Sequence, residues 1–418
     1  MMFNRKYYCC YVAFLWGLIA NLNQLYGQQL ARGPDRQNYI SAAEIRLQPT
    51  VKWKFQTKAQ IFASPIVFKD KVIVGSCDSN LYALDKTSGK IIWKYKTGGE
   101  IRSTAAIDSD LLYFVCSDGL LYALSIETGE RRWTFATQGE KKQDTWDYFH
   151  SSPTISDGIV YFGSGDKHIY AVNGKSGELH WRFPTGGIVH ASPTLANEGL
   201  MIGSFDGYFY CLEKNGKLRW KFKTIGERYF PKGEIQFHAV AADSSVYFGA
   251  RDFNMYSLNI KDGTGYWVYH QPGSWISVPS LSGDKLIVTM SDSYSVLALD
   301  KINGTKLVEP AVPLNTFSSA AIAGSNAFFG ALDGIIYRFD VAKGITTPIF
   351  QTESSKRNRH LFVDEKGKLR ADLQEKYAHD INKLFADYLQ MGSIFSTIWI
   401  ADSTLYFGAA DGAVYAIE

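Results

Sequence analysis

Ser76-Cys77-Asp78-Ser79-Asn80-Leu81-Tyr82-Ala83-Leu84-Asp85 is the stretch on which the fold turns. A small residue, an aspartate, an apolar residue and Tyr-Ala-Leu follow one another, and the same order returns around Asp118, Asp166, Asp206, Asp252, Asp292, Asp333 and Asp411. Successive aspartates lie 40, 48, 40, 46, 40, 41 and 78 residues apart, so eight copies share a base period near 40. Self-similarity at that period is the mark of a repeat architecture.

Working outward, each copy has four parts. Ala63–Phe68 is a first apolar run, ended by the polar turn Lys69-Asp70. Val72–Gly75 leads to the aspartate turn, Leu81–Leu84 runs to Thr87-Ser88-Gly89, and Ile91–Tyr95 closes the unit. Short alternating runs bounded by Asp, Gly and Ser are antiparallel strands in a meander. Four strands per 40 residues predict an all-β fold, an eight-bladed β-propeller.

A tryptophan marks the fourth strand at Trp93, Trp133, Trp181, Trp220 and Trp267, weakening to Val308 and Pro348. One fourth strand, Val51–Phe55, stands alone before the first copy, and the last copy stops after its third strand, Ala413–Ile417. The lone strand is therefore expected to complete the last blade and close the ring, which removes exposed sheet edges. Tryptophans and aspartates repeated in one slot read as architecture: inter-blade packing for the first, turn formation for the second.

The motif resembles the pyrroloquinoline-quinone (PQQ)-like propeller repeat, D-G-x-L-Y-A-L-D-x-x-T-G-K-x-x-W-x-F-x-T. The nearest copy runs from Ser117-Asp118-Gly119-Leu120-Leu121-Tyr122-Ala123-Leu124 to Thr128-Gly129-Glu130-Arg131-Arg132-Trp133-Thr134-Phe135. Arg32-Gly33-Pro34-Asp35-Arg36 is similar to the segment that precedes many such propellers. The resemblance implies one of two roles. Quinoprotein dehydrogenases hold PQQ and calcium in the funnel, whereas relatives of the outer-membrane assembly lipoprotein BamB are non-enzymatic scaffolds. Fold alone does not choose.

Residues 1–27 read as a signal peptide: Arg5-Lys6 precede the apolar run Tyr11–Ala20, and Gly27 offers a small residue before Gln28. A retained anchor is the alternative. No cysteine is placed for a lipoprotein signal, so a periplasmic or secreted protein is expected, in segments 28–50 (leader), 51–350 (blades), 351–390 (helical insertion) and 391–418 (last blade). The net charge is +3, and loss of Arg5 and Lys6 leaves about +1, which gives no footprint for nucleic acid. Cys77, Cys116 and Cys211 are too few and too scattered for a disulfide framework.

Departures from the repeat point to function. The step from the Trp slot to the Pro/Ala slot of the next first strand is regularly 12, but is 20 from Trp133 to Pro153, 21 from Trp220 to Ala241 and 50 from Pro348 to Ile398. All three insertions belong to one connector type and so to one face. The first two carry Trp146 and Tyr229 among charges, and Trp275 follows on the next connector. Such mixtures suit recognition, although loops folded onto their own aromatics would look the same. In the third, apolar residues at three- and four-residue steps predict a helix over 369–390, capping the face or docking a partner.

Three residues before each Pro/Ala slot stand Phe62, Arg102, His150, His190, His238, Ile276, Phe317 and Phe395. Arg102 and the three consecutive histidines are candidates to bind a ligand at the funnel mouth, and the imidazoles to bind a metal; bonding to neighbouring connectors is the alternative. Carboxylates for calcium are scarce in these slots, and the vicinal cysteines of many quinoprotein dehydrogenases are absent. The expectation is a monomeric, non-catalytic scaffold that binds an envelope protein or small ligand, with a PQQ-dependent dehydrogenase or a glycan-binding propeller as alternatives.

Overall fold

The computed structural model describes residues 39–40, 45–196 and 199–418, so the signal segment and Arg32–Arg36 lie outside the described residues. The described strands form eight sheets, each built on a four-stranded antiparallel meander. Inner strands such as Lys71–Ser76 are buried along their whole length, because both faces of a blade pack on neighbouring blades. Outermost strands alternate: Ile91–Lys96 buries Trp93 and turns its flanking residues to solvent.

The ring closes as the sequence predicts. Val51–Gln56 pairs antiparallel with Ala413–Ile417, from Val51 opposite Ile417 to Gln56 opposite Ala413. Thr50 and Glu418 exchange backbone hydrogen bonds of 2.8 and 2.9 Å, and Lys52 Nζ meets the Glu418 carboxylate at 2.7 Å.

Each tryptophan fastens its blade to the next. The indole N–H of Trp53 donates to Lys86 O at 2.9 Å, that of Trp93 to Ile126 O at 3.0 Å, and that of Trp220 to Ile260 O at 2.9 Å. The ring lies under the Thr/Ser-Gly turn of the next blade. Gly89 has φ +68°, and a Cβ there would sit 2.6 Å from the Trp53 ring, so both its backbone and its neighbour demand glycine. Each such indole contributes about 2–3 kcal/mol of burial plus about 1 kcal/mol for its hydrogen bond.

The aspartates do more than form turns. Asp206 Oδ1 accepts from Tyr208 N at 2.9 Å, while Oδ2 accepts both the Tyr210 hydroxyl and Gly186 N at 2.7 Å. One carboxylate thus joins the turn, the third strand and the connector that enters the blade.

Two features depart from expectation. Tyr39–Ile40, in the leader, pairs in parallel with the innermost strand of the seventh blade, Ala321–Ala323, and makes that sheet five-stranded. The helix expected over 369–390 is broken. Short helices span Leu373–Lys376 and Ile381–Tyr388, separated by Ala378 and His379 in the left-handed region at φ 49° and 62°. Another helix, Glu353–Asn358, opens the insertion. A bridge joins Val363 to Leu369 around the Gly367 turn.

Candidate functional site

Because the blades radiate from one axis, the starts of the innermost strands converge. Phe62, Arg102, His150, His190, His238, Phe317 and Phe395 line one central cavity. Ile276 does not; a bulge between Ile276 and Pro279 puts Val278 there instead. Two residues further along each strand, Ser64, Thr104, Ser152, Ser192, Ser319 and Thr397 add a tier of hydroxyls. This tier stitches blades together: Thr397 N donates to Ser64 Oγ at 2.8 Å, Ser64 N to Thr104 Oγ1 at 2.9 Å, Thr104 N to Ser152 Oγ at 2.9 Å, and Ser152 N to Ser192 Oγ at 2.8 Å.

The three insertions meet over this cavity in one apolar cluster. Tyr148 from the first, Phe237 from the second and Phe362, Leu373, Phe385 and Tyr388 from the third pack with Phe62, Phe317 and Phe395. The Trp146 ring meets Phe385 edge-on at 4.2 Å between centroids, and Trp275 lies between Trp146 at 6.3 Å and Phe230 at 5.1 Å. Trp146 and Trp275 therefore belong to the cap and do not line the funnel. Tyr229 belongs to neither: it is 71% exposed, with the Arg228 guanidinium 5.6 Å from its ring. The cap reading of the third insertion is correct, and the cavity left beneath measures about 40 Å³.

The histidines are chemically unequal. His190 Nδ1 lies 2.8 and 2.9 Å from the two Asp147 oxygens, and Nε2 lies 2.6 Å from Glu140 Oε1. Burial pulls its pKa down, but the hydrogen bonds and charges of Asp147 and Glu140 outweigh it and raise the value to about 9. His190 is therefore an imidazolium clamped by two carboxylates of the first insertion, with neither nitrogen left for a metal. His150, 5.3 Å away between ring centroids, is pushed well below the usual histidine range by burial and by the charges of His190, Arg102 and Lys142. It is neutral, and its buried Nδ1 has no hydrogen-bond partner among the described residues. Among the described residues no group of three or more His, Cys, Asp or Glu is placed to hold a metal, so the imidazole trio does not form the metal site considered above.

Arg102 sits at the cavity with its Nε 2.6 Å from Glu100 and its guanidinium 5.2 Å from the Phe62 ring. A buried arginine was not anticipated. Arg251 holds both Asp144 oxygens and places Nη2 2.7 Å from Gln236 Oε1, while its guanidinium lies 4.4 Å from the Trp275 ring. It bolts the first and second insertions to the fifth blade. The signal was present: Arg251 fills the slot before the repeat aspartate, held elsewhere by Cys77, Ser117, Gly165, Phe205, Ser291, Leu332 and Ala410.

The described cysteines are free thiols, and burial pushes Cys77 and Cys116 up to about 12. They offer no thiolate for catalysis near neutrality.

A family model described as "Beta-alanine-activating enzyme, beta-propeller" matches residues 36–341. The beta-alanine-activating enzyme of Mus musculus is 29% identical over 111 residues, and that of Homo sapiens 29% over 109; these stretches cover 27% and 26% of this chain. They span 10% of each enzyme. Among solved structures, BamB from Moraxella catarrhalis superposes with a TM-score of 0.67 at 17% identity, covering 88% of this chain and 99% of that one. A europium-containing methanol dehydrogenase gives 0.68 at 12% identity over 96% of this chain and 100% of its own. The quinohemoprotein alcohol dehydrogenase ADHIIG from Pseudomonas putida HK5 gives 0.69 at 13% over 96% and 81%. These likenesses establish the shared propeller fold.

The dehydrogenase likeness raises the question of a quinone cofactor, and the residues present do not fit one. A cavity of about 40 Å³ admits about three water-sized spheres, whereas pockets for molecules of cofactor size run to roughly 300 Å³ or more. Aromatic side chains of the cap fill the space above. Calcium needs six to eight converging oxygens, and the carboxylates beside the cavity are already engaged, Glu140 and Asp147 by His190 and Glu100 by Arg102.

Proposed function

This chain belongs to the propeller family described as "Beta-alanine-activating enzyme, beta-propeller", and from that premise we propose that it is a non-catalytic binding propeller, exported to the cell envelope, that docks a protein partner on its capped face. The observation that carries this reading is the filled funnel: where a catalytic propeller keeps room for its cofactor, three insertions pack a continuous aromatic roof over about 40 Å³. The elaborated face is thereby turned from a pocket into a surface. Ile225 and Tyr229 of the second insertion stand 70% and 71% exposed on it, beside Arg228, a composition suited to protein recognition. Export rests on Arg5-Lys6 and the apolar run Tyr11–Ala20.

The test uses the full chain expressed with its N-terminal segment. The mature protein should begin at Gln28 and fractionate with the envelope. A photo-crosslinker in place of Tyr229 should give a discrete adduct with an envelope protein, and one in place of Lys175, on the opposite face, should not. Dye-linked alcohol or sugar oxidation after reconstitution with PQQ and calcium would overturn the reading.

A further inference from the structure

The repeat aspartate lacks its tyrosine contact in two blades; Asp411 still holds its turn, accepting from Ala413 N at 3.0 Å, whereas Asp292 accepts no backbone N–H among the described residues. In six blades its side chain accepts the hydroxyl of the tyrosine four residues on, from Asp78–Tyr82 to Asp333–Tyr337, at 2.6–3.1 Å. In the sixth blade that slot is Val296, and Asp292 is left with Ser291 Oγ and Asn315 Nδ2 as side-chain partners. Nor is it sealed over. Asp292 is solvent-exposed and lines a cleft of about 360 Å³ between the sixth blade and the helices Leu373–Lys376 and Ile381–Tyr388. Its surroundings are protein-rich enough that desolvation raises its carboxyl above the ordinary range.

The rest of the cleft defines what would sit there. Tyr294, Tyr377 and Phe385 present aromatic surface, and Leu369, Leu373 and Leu384 add aliphatic wall. Tyr388, 2% exposed, also lines the cleft, and its buried hydroxyl has no hydrogen-bond partner among the described residues. Of the other charged lining groups, Arg370 is held in a two-point pair with Asp372 at 2.8 and 3.0 Å, and Asp380 caps the helix Ile381–Tyr388. Asp292 is thus the lining carboxylate that neither pairs with a cation nor caps a helix. The volume falls within the roughly 300–1,000 Å³ of small-molecule sites, which typically pair apolar walls with a few polar groups.

We propose that this cleft binds a small primary amine as its ammonium ion, with an aromatic or branched apolar body. The ammonium donates to Asp292 and to the Tyr388 oxygen, and the body lies among Tyr294, Tyr377 and Phe385, where the ring faces also attract the charge. Asp292 does not line the central cavity, so this site stands independently of the docking function proposed above.

The test is calorimetric titration of the full mature chain with 2-phenylethylamine, against 2-phenylethanol and phenylacetate as matched neutral and anionic probes. The amine should bind at least tenfold more tightly than the alcohol, and phenylacetate should give no binding. Asp292→Asn should weaken the amine at least tenfold while leaving the unfolding temperature unchanged. Ala371→Trp, which fills the cleft from its rim, should abolish binding and guards against a folding defect in the first variant. Equal affinity for amine and alcohol, no amine binding up to millimolar concentration, or unchanged affinity in both variants would overturn the proposal.

Discussion

His150 and His190 stand 5.3 Å apart between ring centroids, buried side by side, yet one is held neutral and the other protonated. Two carboxylates on His190 make the difference, and its charge in turn helps keep the proton off His150.

The pair predicts a stability optimum near pH 6.5. His190 has its folded pKa raised to about 9, so its contribution is complete below about 6.5 and fades as pH rises through 9. His150 is depressed, so its contribution is complete above about 6.5 and fades as pH falls below that value. The alkaline limb should be worth about 3 kcal/mol. Thermal unfolding from pH 5 to 10 should show a maximum, with His190→Gln flattening the alkaline side; a wild-type Tm that does not fall between pH 7 and 9.5 would exclude this account.

The repeat aspartates should divide by context. Asp206→Asn weakens the bonds from Tyr210 and Gly186 and should cost about 1–3 kcal/mol in urea unfolding. Asp292→Asn should cost less than about 0.5 kcal/mol, as for a surface position outside the core. Similar losses in both would mean that Asp292 is structural after all.

Arg251 is buried while Asp144 is 35% exposed, so Arg251→Met should destabilise by about 1.5–3 kcal/mol through the lost hydrogen bonds to Asp144 and Gln236. Adding Asp144→Leu should recover part of the loss. A double-mutant cycle by chemical denaturation reads the coupling, and strictly additive effects would show that the contact holds nothing.

Trp146→Ala removes the edge-on contact with Phe385 and should cost about 2–3 kcal/mol, less than a fully buried tryptophan because the ring is half-buried. Hydrogen exchange should quicken first across residues 373–391 and leave the blades protected. Uniform loosening of the whole ring would contradict a separable cap.

Blade number, ring closure and the shared face of the insertions could be read from the chain because each is written in spacing. A slot recurring at 40 residues fixes which side chain repeats and hence what is scaffold. The funnel position of the histidines followed from the same register, failing only at Ile276, where an irregularity in pairing shifts the strand. What spacing does not encode is partnership across loops. Glu140 and Asp147 were visible as acidic residues, but their convergence on His190 depends on how an irregular segment folds back. The helix break was hidden because an apolar stripe can continue across two left-handed residues. Asp380, which accepts from Asn382 N and Lys383 N, was the capping signal that marks a new helix start.

Joining Val51–Gln56 to Ala413–Ile417 brings together strands more than 350 residues apart, as the Lys52–Glu418 pair illustrates. The four-stranded meander of every other blade can assemble from neighbours along the chain, but the eighth has no outer strand until Val51–Gln56 meets Ala413–Ile417. Loop closure over such a distance makes this the slowest contact to gain. A chain emerging from the ribosome therefore stays an incomplete arc through most of its synthesis.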